Sequence, residues 1–112
     1  MHVDLSFLTS FTGGDKSKMK KYVLIFLDMY PSQMAKINTA LSNVDLNGVR
    51  GLIHAIKPQF AYMGMKPAES LAKDLEQAAT EGNEPLVTSL ISELDSYVTI
   101  GITQLQEEIK NW

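Results

Sequence analysis

The sequence predicts an all-α protein, an antiparallel up-down-up-down four-helix bundle with a short N-terminal helix. Three observations predict it. Apolar residues recur at steps of three and four along most of the chain, the period of a helix that buries one side. No alternation of β-branched residues reads as a strand. Glycines and prolines fall between the periodic stretches and leave links of roughly two to five residues, the lengths that join antiparallel neighbours.

The elements follow in order. Asp4 to Leu8 reads as one or two amphipathic turns, ended by Gly13-Gly14. Asp15 is placed to cap a helix, and after it Met19, Val23, Phe26, Tyr30, Met34, Ile37, Leu41 and Val44 form one apolar stripe. The stripe keeps its phase across Pro31. A single long helix over 15–42, bent where the ring removes a hydrogen bond, is therefore expected rather than two helices meeting at Pro31. Asp45 caps the next helix, 45–63, with Val49, Leu52, Ile53, Ile56, Phe60 and Met63 as its stripe and Gly64 just beyond its end. Pro67 opens a helix over 67–81 with an alanine-rich stripe, Ala68, Leu71, Ala72, Leu75 and Ala78-Ala79. Asn83 caps the last helix, which runs to Trp112 through Val87, Ile91, Leu94, Val98, Ile102, Leu105 and Ile109. The two short helices form a hairpin between the two long ones.

Composition narrows the function. At 112 residues the prior is one domain, 1–112, large enough to bury about two-thirds of its unfolded surface. Hydrophobic residues at 45% and charged residues at 21% exclude a disordered chain. The absence of cysteine excludes a disulfide scaffold, a thiolate metal site and a cysteine nucleophile. A net charge of −3 lacks the basic footprint of a nucleic-acid binder, so no nucleic-acid partner is expected. No apolar run approaches a membrane span and no signal peptide precedes the first helix, so no membrane partner is expected and the chain reads as cytoplasmic. An initiating Met before a whole bundle favours a free-standing protein.

One residue does not fit a featureless bundle. His2 lies at a terminus expected to fray and receives no role. His54 lies in the middle of the second main helix. At 100° per residue, Leu52, Ile56 and Met63 fall within about 20° of the side opposite His54, so the ring points out of the core. Arg50, Lys57, Pro58 and Ala61 share its side, within about 60°. A neutral imidazole in that position offers a free ring nitrogen, a nucleophile or a ligand. A casual surface histidine is the plain alternative. Metal binding lacks a second histidine one turn away or a Glu-x-x-His pair. No nucleophile elbow and no phosphate-cradling glycine loop accompany His54. Met19, Met34, Met63 and Met65 read as core filling. In a hairpin turning near Met65, residues 76–77 stand opposite His54, so Glu76 or Gln77 is placed to accept a hydrogen bond from Nδ1–H and leave Nε2 free.

The segment Leu52-Ile53-His54-Ala55-Ile56-Lys57-Pro58-Gln59-Phe60-Ala61-Tyr62-Met63-Gly64 resembles the signature of histidine-containing phosphotransfer (HPt) domains. That signature is His-x-x-Lys-Gly with a small residue seven positions after the histidine and a glycine ten positions after it; His54, Lys57, Ala61 and Gly64 match. Leu71-Ala72-Lys73-Asp74-Leu75-Glu76 resembles the family's next helix, where a Gln or Glu commonly stands at the position of Glu76. The resemblance covers nearly the whole chain. It departs at Pro58, where the family usually has glycine; the ring removes an amide that would bond the carbonyl of His54, so a bend and an altered partner contact are expected there.

The resemblance implies a phosphocarrier of a two-component phosphorelay without turnover of its own. His54 would accept a phosphoryl group from the aspartate of a response-regulator receiver domain and pass it on, with a hybrid sensor kinase as the other partner. Lys57 would stabilise the phosphoryl charge. Glu76 would orient the imidazole. Arg50 and Lys73 would add to the local positive field, with Lys66 more peripheral. Ile53, Pro58 and Ala61 would supply the apolar part of a transient interface, and Gln77 would border it. The magnesium and acidic pocket would belong to the receiver, so no cofactor and no metal are expected of this chain. A monomer is expected, since no exposed heptad seam is visible. The competing reading is a docking module that binds a receiver or kinase domain without chemistry.

Overall fold

The computed structural model describes residues 1–112 and contains five helices: α1 (Ser6–Thr12), α2 (Lys16–Ser42), α3 (Leu46–Tyr62), α4 (Lys66–Thr80) and α5 (Glu84–Ile109). α2 to α5 form an antiparallel up-down-up-down bundle and α1 is the short N-terminal helix. The bundle is 43 Å long and 20 Å across. The 27 residues of α2, at about 1.5 Å each, span most of that length.

Helix starts follow the capping chemistry of the sequence. The Asp15 carboxylate accepts from the N–H groups of Ser17 and Lys18 at 3.0 and 3.2 Å. Asp45 accepts from Gly48 at 2.9 Å, and the Asn83 side chain accepts from Leu86 at 3.2 Å. Each cap satisfies amide donors that the first turn of a helix leaves open. α2 passes through Pro31 and α3 through Pro58 without dividing. Both prolines lie on exposed sides, where the carbonyl that loses its amide partner is not sealed in the core.

The core is one cluster along the bundle axis. It takes Val23, Phe26, Tyr30 and Ile37 from α2, Val49, Ile53, Ile56 and Phe60 from α3, and Val87, Leu94, Val98 and Leu105 from α5. α4 contributes Leu75 among four buried alanines, and that narrow face lets its backbone come close to its neighbours. The apolar stripe of α2 stops short of its predicted end: Val44 is 58% exposed and lies in the link to α3. Its φ of 54° is a left-handed conformation that crowds a β-branched side chain. Tyr30 ties α2 to α5 by donating its hydroxyl to Asp95 at 2.7 Å. Burial, and then this carboxylate neighbour, push the Tyr30 phenol well above its ordinary value.

The N-terminus is not frayed, contrary to the expectation for His2. Val3 is buried. The His2 amide donates to Gln104 at 2.7 Å, and Tyr97 donates its hydroxyl to the His2 carbonyl at 2.9 Å. The His2 ring stacks on Tyr97 at 4.2 Å. A short apolar anchor with two hydrogen bonds to α5 thus outweighs the tendency of a chain end to stay loose. The Asp4 amide also donates to the Met63 carbonyl at 3.2 Å, which brings the N-terminal segment against the α3–α4 turn. Gly64 makes that approach feasible: its φ is +66°, and a Cβ there would collide with the Asp4 backbone.

Two substitutions test these backbone positions. Gly64→Ala is expected to lower unfolding free energy by about 2 kcal/mol or more, since it combines backbone strain with a collision. Val44→Gly is expected to raise it by about 1 kcal/mol by relieving the left-handed conformation. Urea unfolding followed by far-ultraviolet circular dichroism measures both.

Candidate functional site

α3 presents His54 because its apolar residues point the other way. Val49, Ile53, Ile56 and Phe60 are buried, and the His54 side chain is 72% exposed. On α4, Ala72, Leu75 and Ala79 pack inward. Glu76, one residue beyond Leu75, lies at the border of that buried face, turned to α3. Its side chain is only 19% exposed.

These two helices bring three side chains together around one carboxylate. Glu76 Oε1 lies 2.6 Å from His54 Nδ1, and Lys57 Nζ donates to Glu76 Oε2 at 2.5 Å. Partial burial pushes the Glu76 carboxyl upward. The hydrogen bonds from Lys57 and His54, with their charges, outweigh it and hold the carboxyl below the ordinary glutamate value. An ionised carboxylate only accepts, so Nδ1 carries the hydrogen of this contact. Nε2, on the other side of the ring, is then the nitrogen left to the solvent-facing side, with its lone pair free when the ring is neutral. The arrangement fixes ring orientation and tautomer together. A ring held in this way can serve as a nucleophile or as a metal ligand, and no three His, Asp or Glu residues gather here as a metal-ligand group.

The other predicted site residues divide. Pro58 is exposed and Ala61 half-buried, on the same side of α3 as His54. Lys73 is exposed and shares with Lys57, Lys66, Glu69 and Ser70 an open hollow of about 380 Å³. Arg50 is exposed but turns back along α3, donating to Asn47 at 2.8 Å, and does not join the carboxylate. Ile53 does not belong to a surface interface: it is fully buried, because it lies in the apolar stripe of α3, with Val49, Ile56 and Phe60, that turns into the core. Gln77 is exposed and lines a hollow with Asp74, Ala78, Glu81, Leu86 and Leu90 on the side of α4 that meets α5, and it is Glu76 rather than Gln77 that reaches the imidazole.

Two features escaped the sequence reading. Lys57 is not a free cation beside the imidazole; it is bound to Glu76 and 24% exposed. The hairpin register that placed Glu76 near His54 also placed it near Lys57, which was the available signal. The second is an exposed aromatic cluster. Phe7 stacks on Tyr62 at 5.5 Å and on Phe11 at 6.0 Å, and Phe11 meets Tyr22 edge-on at 5.7 Å. With Leu8, Gln59 and Met63 these rings line a hollow of about 220 Å³. Its signal was the pair Phe7 and Phe11 at helical spacing on α1, with only Leu8 of that helix buried.

Known proteins share this architecture. A family model described as the Hpt domain matches residues 21–111. The phosphotransferase RcsD of Escherichia coli strain K12 is 28% identical over 89 residues, covering 77% of this chain and 10% of that protein. The chain thus spans about a tenth of the length of the curated relative it matches. The crystal structure of histidine-containing phosphotransfer protein B (HptB) from Pseudomonas aeruginosa PAO1 aligns over 99% of this chain and 96% of that one, with a TM-score of 0.91 at 20% identity. At that identity the likeness is one of fold.

The shared carboxylate has a measurable signature. Carbon-detected NMR titration should place the Glu76 midpoint below the ordinary value of 4.5, and Lys57→Met should move it upward. Because the folded value is depressed, the stability this group contributes is present above 4.5 and is lost as pH falls through the lower folded value. Glu76→Gln should flatten that acid limb of the unfolding curve.

Proposed function

This chain belongs to the Hpt domain family, and on that premise we propose that it is a phosphocarrier of a two-component phosphorelay in which His54 receives and passes on the phosphoryl group. One observation carries the reading: a largely exposed imidazole whose Nδ1 is held by the Glu76 carboxylate at 2.6 Å, with Nε2 left for attack. A curated relative named as a phosphotransferase supports it.

The chemistry follows from that geometry. The Nε2 lone pair attacks the phosphorus of an aspartyl phosphate on the partner. The N–P bond forms as the acyl O–P bond breaks, and the partner's carboxylate leaves with the bonding pair. No proton has to move. Nδ1 keeps its hydrogen, the ring gains a positive charge, and Glu76 already faces that charge. The reverse attack by a second aspartate returns the ring to its starting state, so the chain has no turnover by itself.

The partners in this reading are a response-regulator receiver domain and a hybrid sensor kinase. Residues 1–112 act as one domain, monomeric and cytoplasmic; no helix is long and apolar enough to cross a membrane. Pro58 and Ala61 form the small margin beside the ring over which the partner's aspartate approaches. The apolar part of the contact, with Ile53 sealed inside, passes to Tyr62 and the aromatic cluster that it opens two turns further along α3. Pro58 in place of glycine leaves α3 continuous, which supports retained transfer.

Incubation with a receiver domain radiolabelled on its aspartate tests the proposal. The chain should acquire label that survives alkali and is lost in acid, and His54→Gln should acquire none. Stable complex formation with receivers from a panel, without label on the unsubstituted chain, would establish the docking module instead.

A further inference from the structure

Resting on that phosphotransfer reading, we infer that the main-chain carbonyl oxygen of His54, which Pro58 leaves without its helical amide, is a hydrogen-bond acceptor for the docked receiver domain. It favours receivers that carry an N–H or O–H donor beside their phosphorylated aspartate.

The chain itself leaves this oxygen open. In a continuous helix the carbonyl of residue 54 accepts from the N–H of residue 58. α3 runs unbroken from Leu46 to Tyr62, and Pro58 inside it has no N–H to give. No side chain makes up the loss. Every hydrogen bond from a side chain to a main-chain carbonyl in this protein ends on another residue. The surroundings explain why. Gly51, Ala55, Pro58 and Ala61 lie within about 100° of His54 around the helix, and none of the four has a donor on its side chain. A Cβ added at Gly51 would meet nothing within 4 Å, so the space over this part of α3 is clear.

Position makes the open oxygen matter. It belongs to the residue whose ring reacts, and His54, Ala55 and Pro58 are all exposed. Pro58 lies about one turn along α3 from His54 and about 40° around it. A partner that brings an aspartate to Nε2 therefore comes down over the same side. In the free chain water reaches the oxygen. A closely docked partner removes that water, and a desolvated carbonyl left without a donor is unfavourable. A receiver with a donor at that place restores the bond. One with an apolar group there leaves the oxygen unpaired, and one with a carboxylate there sets two acceptors against each other. With any residue other than proline at 58 the helix would satisfy the oxygen by itself, and this discrimination would be lost.

Two measurements on a receiver that transfers label to this chain test the inference. Histidine carrying carbon-13 at its carboxyl carbon marks two carbonyls only, those of His2 and His54. The His2 carbonyl already accepts from Tyr97 and serves as the reference. Saturation with the unphosphorylated receiver should move the His54 signal downfield, as a new hydrogen bond does, and leave that of His2 in place. In single-turnover transfer measured against receiver concentration, Pro58→Ala and Pro58→Gly restore the amide. Each should raise the half-saturating concentration roughly threefold to tenfold, the worth of one hydrogen bond, with little change in limiting rate. Lactic acid in place of Pro58, an ester link with neither ring nor N–H, should keep half-saturation close to that of the unsubstituted chain. A His54 signal unmoved in the complex, half-saturation unchanged in both amide-restoring variants, or a loss in the ester variant equal to theirs would overturn the inference and leave the phosphotransfer reading standing. Absence of label on the unsubstituted chain from every receiver of a panel would overturn both.

Discussion

One carboxylate between two helices organises the face of this protein that carries chemistry. Glu76 is anchored on α4 beside a buried leucine, yet its oxygens serve two residues of α3, the imidazole of His54 and the ammonium of Lys57. Burial works against its ionisation, and the two donors more than offset that effect. A carboxylate held in this way is a fixed reference point. The ring can rotate only by giving up a charge-assisted hydrogen bond, and the lysine can swing out only by leaving the carboxylate short of a partner.

That contact depends on the packing beneath it. The α3–α4 hairpin sets which residue of α4 meets His54, and its turn is closed by Gly64 against the backbone of Asp4. The alanine face of α4 keeps the two helices near enough for a glutamate to bridge them. The N-terminal segment, fastened to α5 through His2 and Tyr97 and to the turn through Asp4, belongs to the same construction. A shift of one residue in the hairpin would move the carboxylate by 100° around α4 and leave the imidazole without its acceptor.

The two in-helix prolines show how exposure decides cost. Each removes one main-chain hydrogen bond, and Pro58 does so at the carbonyl of His54 itself. Since both lie on outward sides, the orphaned carbonyl is not trapped in apolar surroundings, and the long helices remain whole. The departure at Pro58 from the usual glycine is thus absorbed locally, without loss of the helix that presents the histidine.

Most of the fold was legible in the residue order. Helical periodicity, the acidic and amide caps at 15, 45 and 83, and the spacing of breakers define the four helices of the bundle and their antiparallel links, because these are local properties of backbone and side chain. The outward direction of His54 was legible for the same reason, as was the placing of 76–77 across from it. The choice between Glu76 and Gln77 was not: the two lie about 100° apart around α4, and which of them meets the imidazole depends on how that helix is turned against α3. Ile53 belongs to the apolar stripe of α3, and its burial follows that stripe rather than its nearness in sequence to His54. The partner of Lys57 was decided by how α3 and α4 meet: a flexible ammonium takes the acceptor that packing brings within reach. The sequence by itself therefore determined the helices, their order and the exposed imidazole. Only tertiary structure decided how the charges around that imidazole pair, since ion pairing depends on distances between helices that no local pattern encodes.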